Sequence, residues 1–359
     1  MSTIDGVAVP VWRDILSQAN NLHHVIESHA TQPRTEIDHA VQLITRAGRV
    51  IFTGVGSGLN ATIPAFYYLM KHGFPARYID ATEAIYGLNA GFKDSVLVLN
   101  TRSGETIELV KLVKIAREAG IPSIAVTNEP GSTVGRLADG CIPTYSRWDD
   151  LVVISAYGGM LATELVLASH IVGKVDAMLV ELKAIADQTQ TVLDRAIEMR
   201  QRVTALFGSS SPVYLLGRGA SIASTLAGEL VLEEMARQVT VAMAAGLFRQ
   251  GPIEVVDEHF HAVVFGGSGE PARLNENLAK ELLALKAAIL WIGPTRLQGA
   301  LNLQLPEIPD YLLPLLEILP IHILAYDLAQ MKGFQPGSVR YIQRVITNEM
   351  GIPNRTAPG

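Results

Sequence analysis

The stretch SVLVLNTRSGETIELVKLVKIAREAG, residues 95–120, decides the fold. Val96, Leu97, Val98 and Leu99 form a run too apolar and β-branched for a loop. The chain then turns through Thr101-Arg102-Ser103-Gly104-Glu105-Thr106. Beyond the turn the chain leaves as a helix, with Ile107, Val110, Val113 and Ile115 among its apolar positions. The unit is a strand, a turn and a helix, and the turn consists of hydroxyls, one glycine and one arginine. Such a turn suits an anion. Backbone N–H groups at a helix start lack partners inside the helix and point at whatever sits there. Ser103 and the two threonines add donors, and Gly104 lets the backbone come close. Each hydrogen bond to a charged ligand is worth roughly 1.5–3 kcal/mol. Four or five approach the ~8 kcal/mol of a micromolar ligand before association costs. On local chemistry alone, an anion site and a capped turn without a ligand both stay open.

Outward from this unit the pattern repeats. Arg49–Thr53 reads as a strand, Gly54–Gly58 as a tight turn, and a helix follows through Tyr67–Met70. Phe74–Ile79, Pro122–Thr127 and Cys141–Thr144 are further strands. Asp150–Val172 reads as one long, mostly apolar, buried helix. Strands alternating with helices at this spacing predict a mostly parallel sheet covered on both faces. Residues 11–48 read as two helices divided at Thr31-Gln32-Pro33, and residues 175–206 as a helical connector.

The second half repeats the first. Pro212–Leu216 is a strand followed by Gly217-Arg218-Gly219-Ala220-Ser221, and His261–Phe265 is a strand followed by Gly267-Ser268-Gly269-Glu270. Gly56 and Gly104 lie 48 residues apart, Gly219 and Gly269 lie 50 apart. Matched turns at matched separation predict an internal duplication, and so two doubly wound α/β domains. The first copy's turn, TRSGET, carries four hydroxyl or cationic groups, and the second's, GGSGEP, carries one hydroxyl. The anion is therefore expected on the first half.

Composition narrows the function classes. The 359 residues carry a net charge of −6 and no basic block, which argues against a nucleic-acid partner. The apolar run Leu151–Thr163, taken as the longest, is too short to span a bilayer, and the first residues show neither a basic n-region nor an apolar h-region. With a single cysteine, Cys141, the chain is expected in a reducing cytoplasm, away from membranes. GVGSG places its third glycine wrongly for a dinucleotide turn, so no NAD site is expected. His23 and His24 are adjacent on an exposed-looking helix and no cluster has ligand spacing, so no metal or other cofactor is expected either.

Two such halves, with glycine turns and a Ser-Gly-Glu-Thr loop, resemble the sugar isomerase (SIS) domain family in its double-domain form. That form includes the isomerase part of glucosamine-6-phosphate synthase, fructosamine-6-phosphate deglycases and amino-sugar-phosphate deaminases. The resemblance covers about residues 45–350. TRSGET stands beside the family's S-x-S-G-E-T; Val153-Ile154-Ser155 is similar to its V-A-S segment. Glu234 precedes the Gly251-Pro252 neighbourhood, and Leu324-Ala325-Tyr326 with Lys332-Gly333 match near the C-terminus. The implied organisation is N-terminal helices (1–44), a first, phosphate-binding SIS domain of flavodoxin-like type (45–175), a connector (176–206), a second SIS domain (207–330) and a tail completing the site (331–359).

The resemblance implies roles residue by residue. Thr101, Arg102, Ser103 and Thr106 match the loop that binds the sugar's phosphate, with Arg102 adding a fork of donors and a fixed charge. Ser57 matches a ligand-facing hydroxyl of the first glycine turn. Val153 and Ser155 match sugar-contacting positions. Glu234 matches the base that moves a proton between C1 and C2 of the open-chain sugar. The chain departs from the pattern at three places. Gln250 stands where the synthase has a ring-opening His and cannot titrate. Arg344 stands where the family has a Lys and cannot form a Schiff base. Ala227 and Val231 replace a Glu–Lys pair. Catalytic positions are thus Glu234, Gln250 and Arg344, with Glu233 nearby; His259 and His261 read as ordinary loop and strand histidines. A homodimer is implied.

An aldose–ketose isomerisation needs a carboxylate above the C1–C2 bond and stabilisation of an enediolate oxygen. Glu234 lies on a helix expected over Ala223–Gln238 among Leu226, Leu230, Val231 and Met235. The sequence therefore predicts an enzyme acting on a 6-phosphorylated sugar or amino sugar: an isomerase, or a deaminase or deglycase working through an enediolate or enolamine. The rival class is a sensor that binds a sugar phosphate without chemistry, since the loop is kept while two catalytic partners are not.

Overall fold

The computed structural model describes residues 3–4, 7–8, 10–149, 152–208, 212–343 and 345–348. By its contacts the chain divides into two compact units. One comprises residues 20–183 with the C-terminal segment from 339, the other residues 1–19 with 184–338.

The N-terminal region forms three helices rather than two: α1 (Pro10–Leu16), α2 (Gln18–Thr31) and α3 (Thr35–Ala47). The break after Leu16 has no proline or glycine to announce it. Helix α3 ends where Gly48 takes φ +70° and returns its N–H to the Ile44 carbonyl, a left-handed stop that glycine adopts without strain.

In the first unit β1 (Val50–Gly54), β2 (Ala76–Asp80), β3 (Val96–Thr101), β4 (Ser123–Thr127) and β5 (Gly140–Pro143) make a wholly parallel sheet, order β2-β1-β3-β4-β5. Helices α4 (Ser57–Asn60) and α5 (Ile63–Lys71) follow β1, and α6 (Ile107–Glu118) follows β3. Strand β3 is buried along its whole length. One of its faces packs Leu97 and Leu99, with Ile51 and Ala125, against Leu109, Leu112, Val113 and Ala116 of α6. A short helix, α7 (Thr133–Leu137), follows β4. Helix α8 (Ser155–Ile171) is apolar all round and almost completely buried. It begins at Ser155, later than the sequence pattern suggests. The buried Asp149 carboxylate accepts the N–H groups of Ile154, Ser155 and Ala156 at 2.8–2.9 Å and fixes the start.

Helix α9 (Val175–Phe207) is continuous over 33 residues. In the second unit β6 (Val213–Gly217), β7 (Thr240–Ala244), β8 (His261–Phe265), β9 (Ala288–Gly293) and β10 (Leu301–Gln304) form another wholly parallel sheet, order β7-β6-β8-β9-β10. Its helices are α10 (Ile222–Ala236), α11 (Ala245–Phe248), α12 (Glu270–Ala284) and α13 (Pro314–Met331). Both sheets thus run 2-1-3-4-5 in chain order, the doubly wound pattern expected from the duplicated turns. Among the described residues, 310–331 rather than 151–163 form the segment long and apolar enough to cross a bilayer by length and composition, and its most apolar stretch is wholly buried in the protein.

In such a sheet the strand order reverses between the first and third strands, and the crevice beyond their carboxyl ends is where ligands bind. That switch point falls between β1 and β3 in the first unit and between β6 and β8 in the second.

Candidate functional site

At the first switch point, the pairing of Gly54 with Asn100 sets the turn after β1 beside the turn after β3. The approach is close. A Cβ on Gly58 would stand 2.6 Å from the Asn100 carbonyl oxygen, and one on Gly54 2.6 Å from the Leu59 nitrogen. Ser57 opens α4, is half-buried, and its hydroxyl has no hydrogen-bond partner among the described residues.

The Thr101–Thr106 turn is held from within. The Thr101 hydroxyl oxygen accepts the Gly104 N–H at 3.1 Å, and the Ser103 hydroxyl oxygen accepts the Glu105 N–H at 3.2 Å. Each hydroxyl keeps its own proton for donation. Gly104 takes φ +64°, and a Cβ there would fall 1.8 Å from the Ser132 hydroxyl. The Glu105 carboxylate accepts the Thr133 N–H at 2.7 Å at the start of α7, so it serves the fold. The Arg102 carbonyl accepts from the Thr127 hydroxyl and the Asn128 N–H, and its guanidinium lies 5.1 Å over the Trp148 ring. Thr101, Arg102 and Ser103 are only 4%, 8% and 9% exposed, so the turn is packed into the protein rather than projecting from it. Thr106, the residue before α6, is half-buried with a hydroxyl that bonds to no described residue. The C-terminal segment reaches the same place: the Ile107 N–H donates to the Ile346 carbonyl at 3.0 Å. Arg344 lies outside the described residues.

Val153 is half-buried and Ser155 buried at the start of α8. The Ser155 N–H is committed to Asp149, and its carbonyl accepts the Asn21 amide at 2.9 Å. Asn100, the residue before the turn, is fully buried with neither end of its amide hydrogen-bonded to a described residue. Deeper in α8, Glu164 is completely buried with no hydrogen-bond partner among the described residues, and burial pushes its pKa up to about 8.

In the second unit Glu234 lies near the end of α10, half-buried, with Glu233 exposed beside it. Ala227 and Val231, which stand where the family has charges, are buried in the core. Glu229 on the same helix accepts the Ala242 N–H at 2.8 Å, and burial raises its pKa. Gln250 is exposed just after α11, its N–H donating to the Leu247 carbonyl. The His261 ring donates from Nδ1 to the His259 carbonyl at 2.6 Å, the strand-and-loop role expected of both.

Sequence reasoning passed over one further acid here. Glu317 on α13 is fully buried and accepts the Ser221 and Ser224 hydroxyls at 2.9 and 2.5 Å; burial raises its pKa to about 7. An acid inside an apolar run, MLATELVLAS for Glu164 and LLPLLEILPI for Glu317, is the signal that marks such groups.

A duplicated, doubly wound parallel fold with a hydroxyl-rich turn at its first switch point is the architecture of α/β proteins whose ligand sites lie at the strand ends. The SIS-domain family model matches residues 43–168 and 206–298, and the chain belongs to that family. Among curated relatives, the glutamine–fructose-6-phosphate aminotransferase (isomerizing) of Pyrobaculum aerophilum is 28% identical over 97% of this chain. That of Pyrococcus horikoshii is 24% identical over 88%. The chain spans 59% and 54% of the lengths of those two relatives. Among solved structures, the C-terminal domain of glucosamine-fructose-6-phosphate aminotransferase from Francisella tularensis superposes with a TM-score of 0.81 at 18% identity. It covers 92% of this chain and 98% of that one. Glucosamine-6-phosphate deaminase from Thermotoga maritima gives 0.77 at 19% identity, covering 94% and 99%.

Proposed function

We propose that the chain is a phosphosugar-processing enzyme, an aldose–ketose isomerase or an amino-sugar-phosphate deaminase or deglycase acting on a 6-phosphorylated sugar. The hydroxyl-rich turn at Thr101–Thr106 carries the proposal. Its hydroxyls are held by backbone N–H groups with their protons left to donate, and Ser57 and Thr106 add hydroxyls with no described partner. In this reading Thr101, Arg102, Ser103, Thr106 and Ser57 hold the phosphate, and Val153 and Ser155 contact the sugar. Glu234 removes the proton at C2 or C1 and returns it to the neighbouring carbon. The relatives, named for fructose-6-phosphate and glucosamine-6-phosphate chemistry, support this substrate class. Gln250 can only hydrogen-bond, and Arg344 can only bind charge, so the substrate is best supplied open-chain or as an imine.

The second reading is a sugar-phosphate sensor, favoured by the exposed, non-titrating Gln250. Incubation with fructose 6-phosphate, glucosamine 6-phosphate and a fructosamine 6-phosphate separates the two. The enzyme reading expects turnover that falls at least ~10²-fold in Glu234→Gln while KM changes little. Ligand-induced thermal stabilisation without turnover on any of the three supports the sensor instead. We further read the chain as working in a homodimer, which sedimentation of the full chain tests.

A further inference from the structure

The second unit's switch point holds a cation that no described residue binds. Arg218 opens the glycine turn after β6, at the carboxyl end of the strand where the order reverses. Its Nε is buried without a hydrogen-bond partner, and no hydrogen bond or ion pair satisfies any part of the guanidinium among the described residues. Gly246 keeps the guanidinium where it is: a Cβ there would stand 2.7 Å from one terminal nitrogen. Nearby charge makes the position less comfortable. Arg249 is close enough to repel Arg218 and already gives its own fork to Glu281. Asp310 has a carboxylate oxygen 3.9 Å from where a side chain on Gly219 would begin.

A half-buried guanidinium costs desolvation free energy, and a second cation beside it adds to the cost. Proteins offset this with a carboxylate, and among the described residues none is paired with Arg218. The missing member is an anion. The fork shape of a guanidinium matches two oxygens of one phosphate or carboxylate, and the glycine at 246 leaves one side of the fork flush with backbone. The GGSGEP turn was set aside as poor in donors, but the donor in this half sits on the other turn of the crevice.

We propose that Arg218 anchors a second oxyanion site, in the unit that does not carry Thr101–Thr106, and that its ligand is a phosphate group, free or on a sugar. The site stands independently of the function proposed above.

Equilibrium dialysis of the full chain against inorganic phosphate, with a parallel arm against fructose 6-phosphate, tests this. Arg218→Gln is expected to remove one bound equivalent per chain. Loss in the phosphate arm assigns the site to free phosphate; loss in the sugar arm alone assigns it to a phosphosugar. Arg218→Lys keeps the charge without the fork and is expected to bind at least about tenfold more weakly. Equal stoichiometry of wild type and Arg218→Gln in both arms overturns the proposal; if that variant does not fold, unchanged affinity in Arg218→Lys overturns it. Failure of the Thr101–Thr106 reading has a different signature: wild type then holds a single equivalent and Arg218→Gln none.

Discussion

Gly104 is the most constrained residue of the candidate site. It combines a left-handed φ of +64° with a Cβ position 1.8 Å from the Ser132 hydroxyl. Gly104→Ala must strain the backbone and push the start of α7 away, at a cost of about 2–4 kcal/mol read from urea unfolding. Weaker binding of fructose 6-phosphate is expected with it. The glycine and the hydroxyls around it were legible in the sequence because a polar turn between an apolar strand and an amphipathic helix is a local pattern. The partners of those groups were not. Glu105 looks like a ligand-loop acid, yet it holds the Thr133 N–H 28 residues away. Arg218 reads as one letter of a glycine turn, and only three-dimensional placement shows that no described carboxylate pairs with it.

Helix starts decide whether elements stand where the sequence places them. The pattern predicted α8 from its apolar run, but its first turn depends on Asp149, which lies outside the run. Three backbone donors converge on that buried carboxylate. Asp149→Ala should cost about 2–4 kcal/mol, beyond an ordinary cap of ~1 kcal/mol, because the orphaned N–H groups stay buried. A lowered thermal midpoint, with Asp149→Asn recovering part of it, is the expected result. The strands β7, β9 and β10 escaped the sequence reading for another reason. Thr240–Ala244 is five residues with one fully buried, and such a short run does not separate from adjacent helical periodicity. The duplicated glycine turns still gave the correct architecture, because strand order follows from βαβ repetition and not from finding each strand.

Over the whole chain, stability is set against pH by acids and histidines hidden in the core. Glu164 and Glu317 have folded pKa values raised to about 8 and about 7, both mainly by burial. Their stabilisation is complete below the unfolded value of about 4.5 and is lost as pH rises through 7 and 8. His29 and His322 are lowered to about 4 and about 3, again mainly by burial. They oppose folding as pH falls below about 6.5, because only the unfolded chain takes up their protons. Between about pH 4.5 and 6.5 the two effects cancel. These four groups therefore predict a plateau there, with stability declining on either side by about 1.4 kcal/mol per pH unit for each uncompensated group. Glu164→Gln should flatten the alkaline limb in urea titrations between pH 6.5 and 8; an unchanged limb would assign the decline to other groups. The wiring of the second unit also has a cost during synthesis. Its first helix buries Trp12 against Tyr326, with ring centroids 4.7 Å apart. At roughly 5–20 residues per second, the indole leaves the ribosome about 15–60 s before the phenol it belongs with. Until then the nascent chain carries an uncovered apolar helix, a natural landing place for a holdase chaperone.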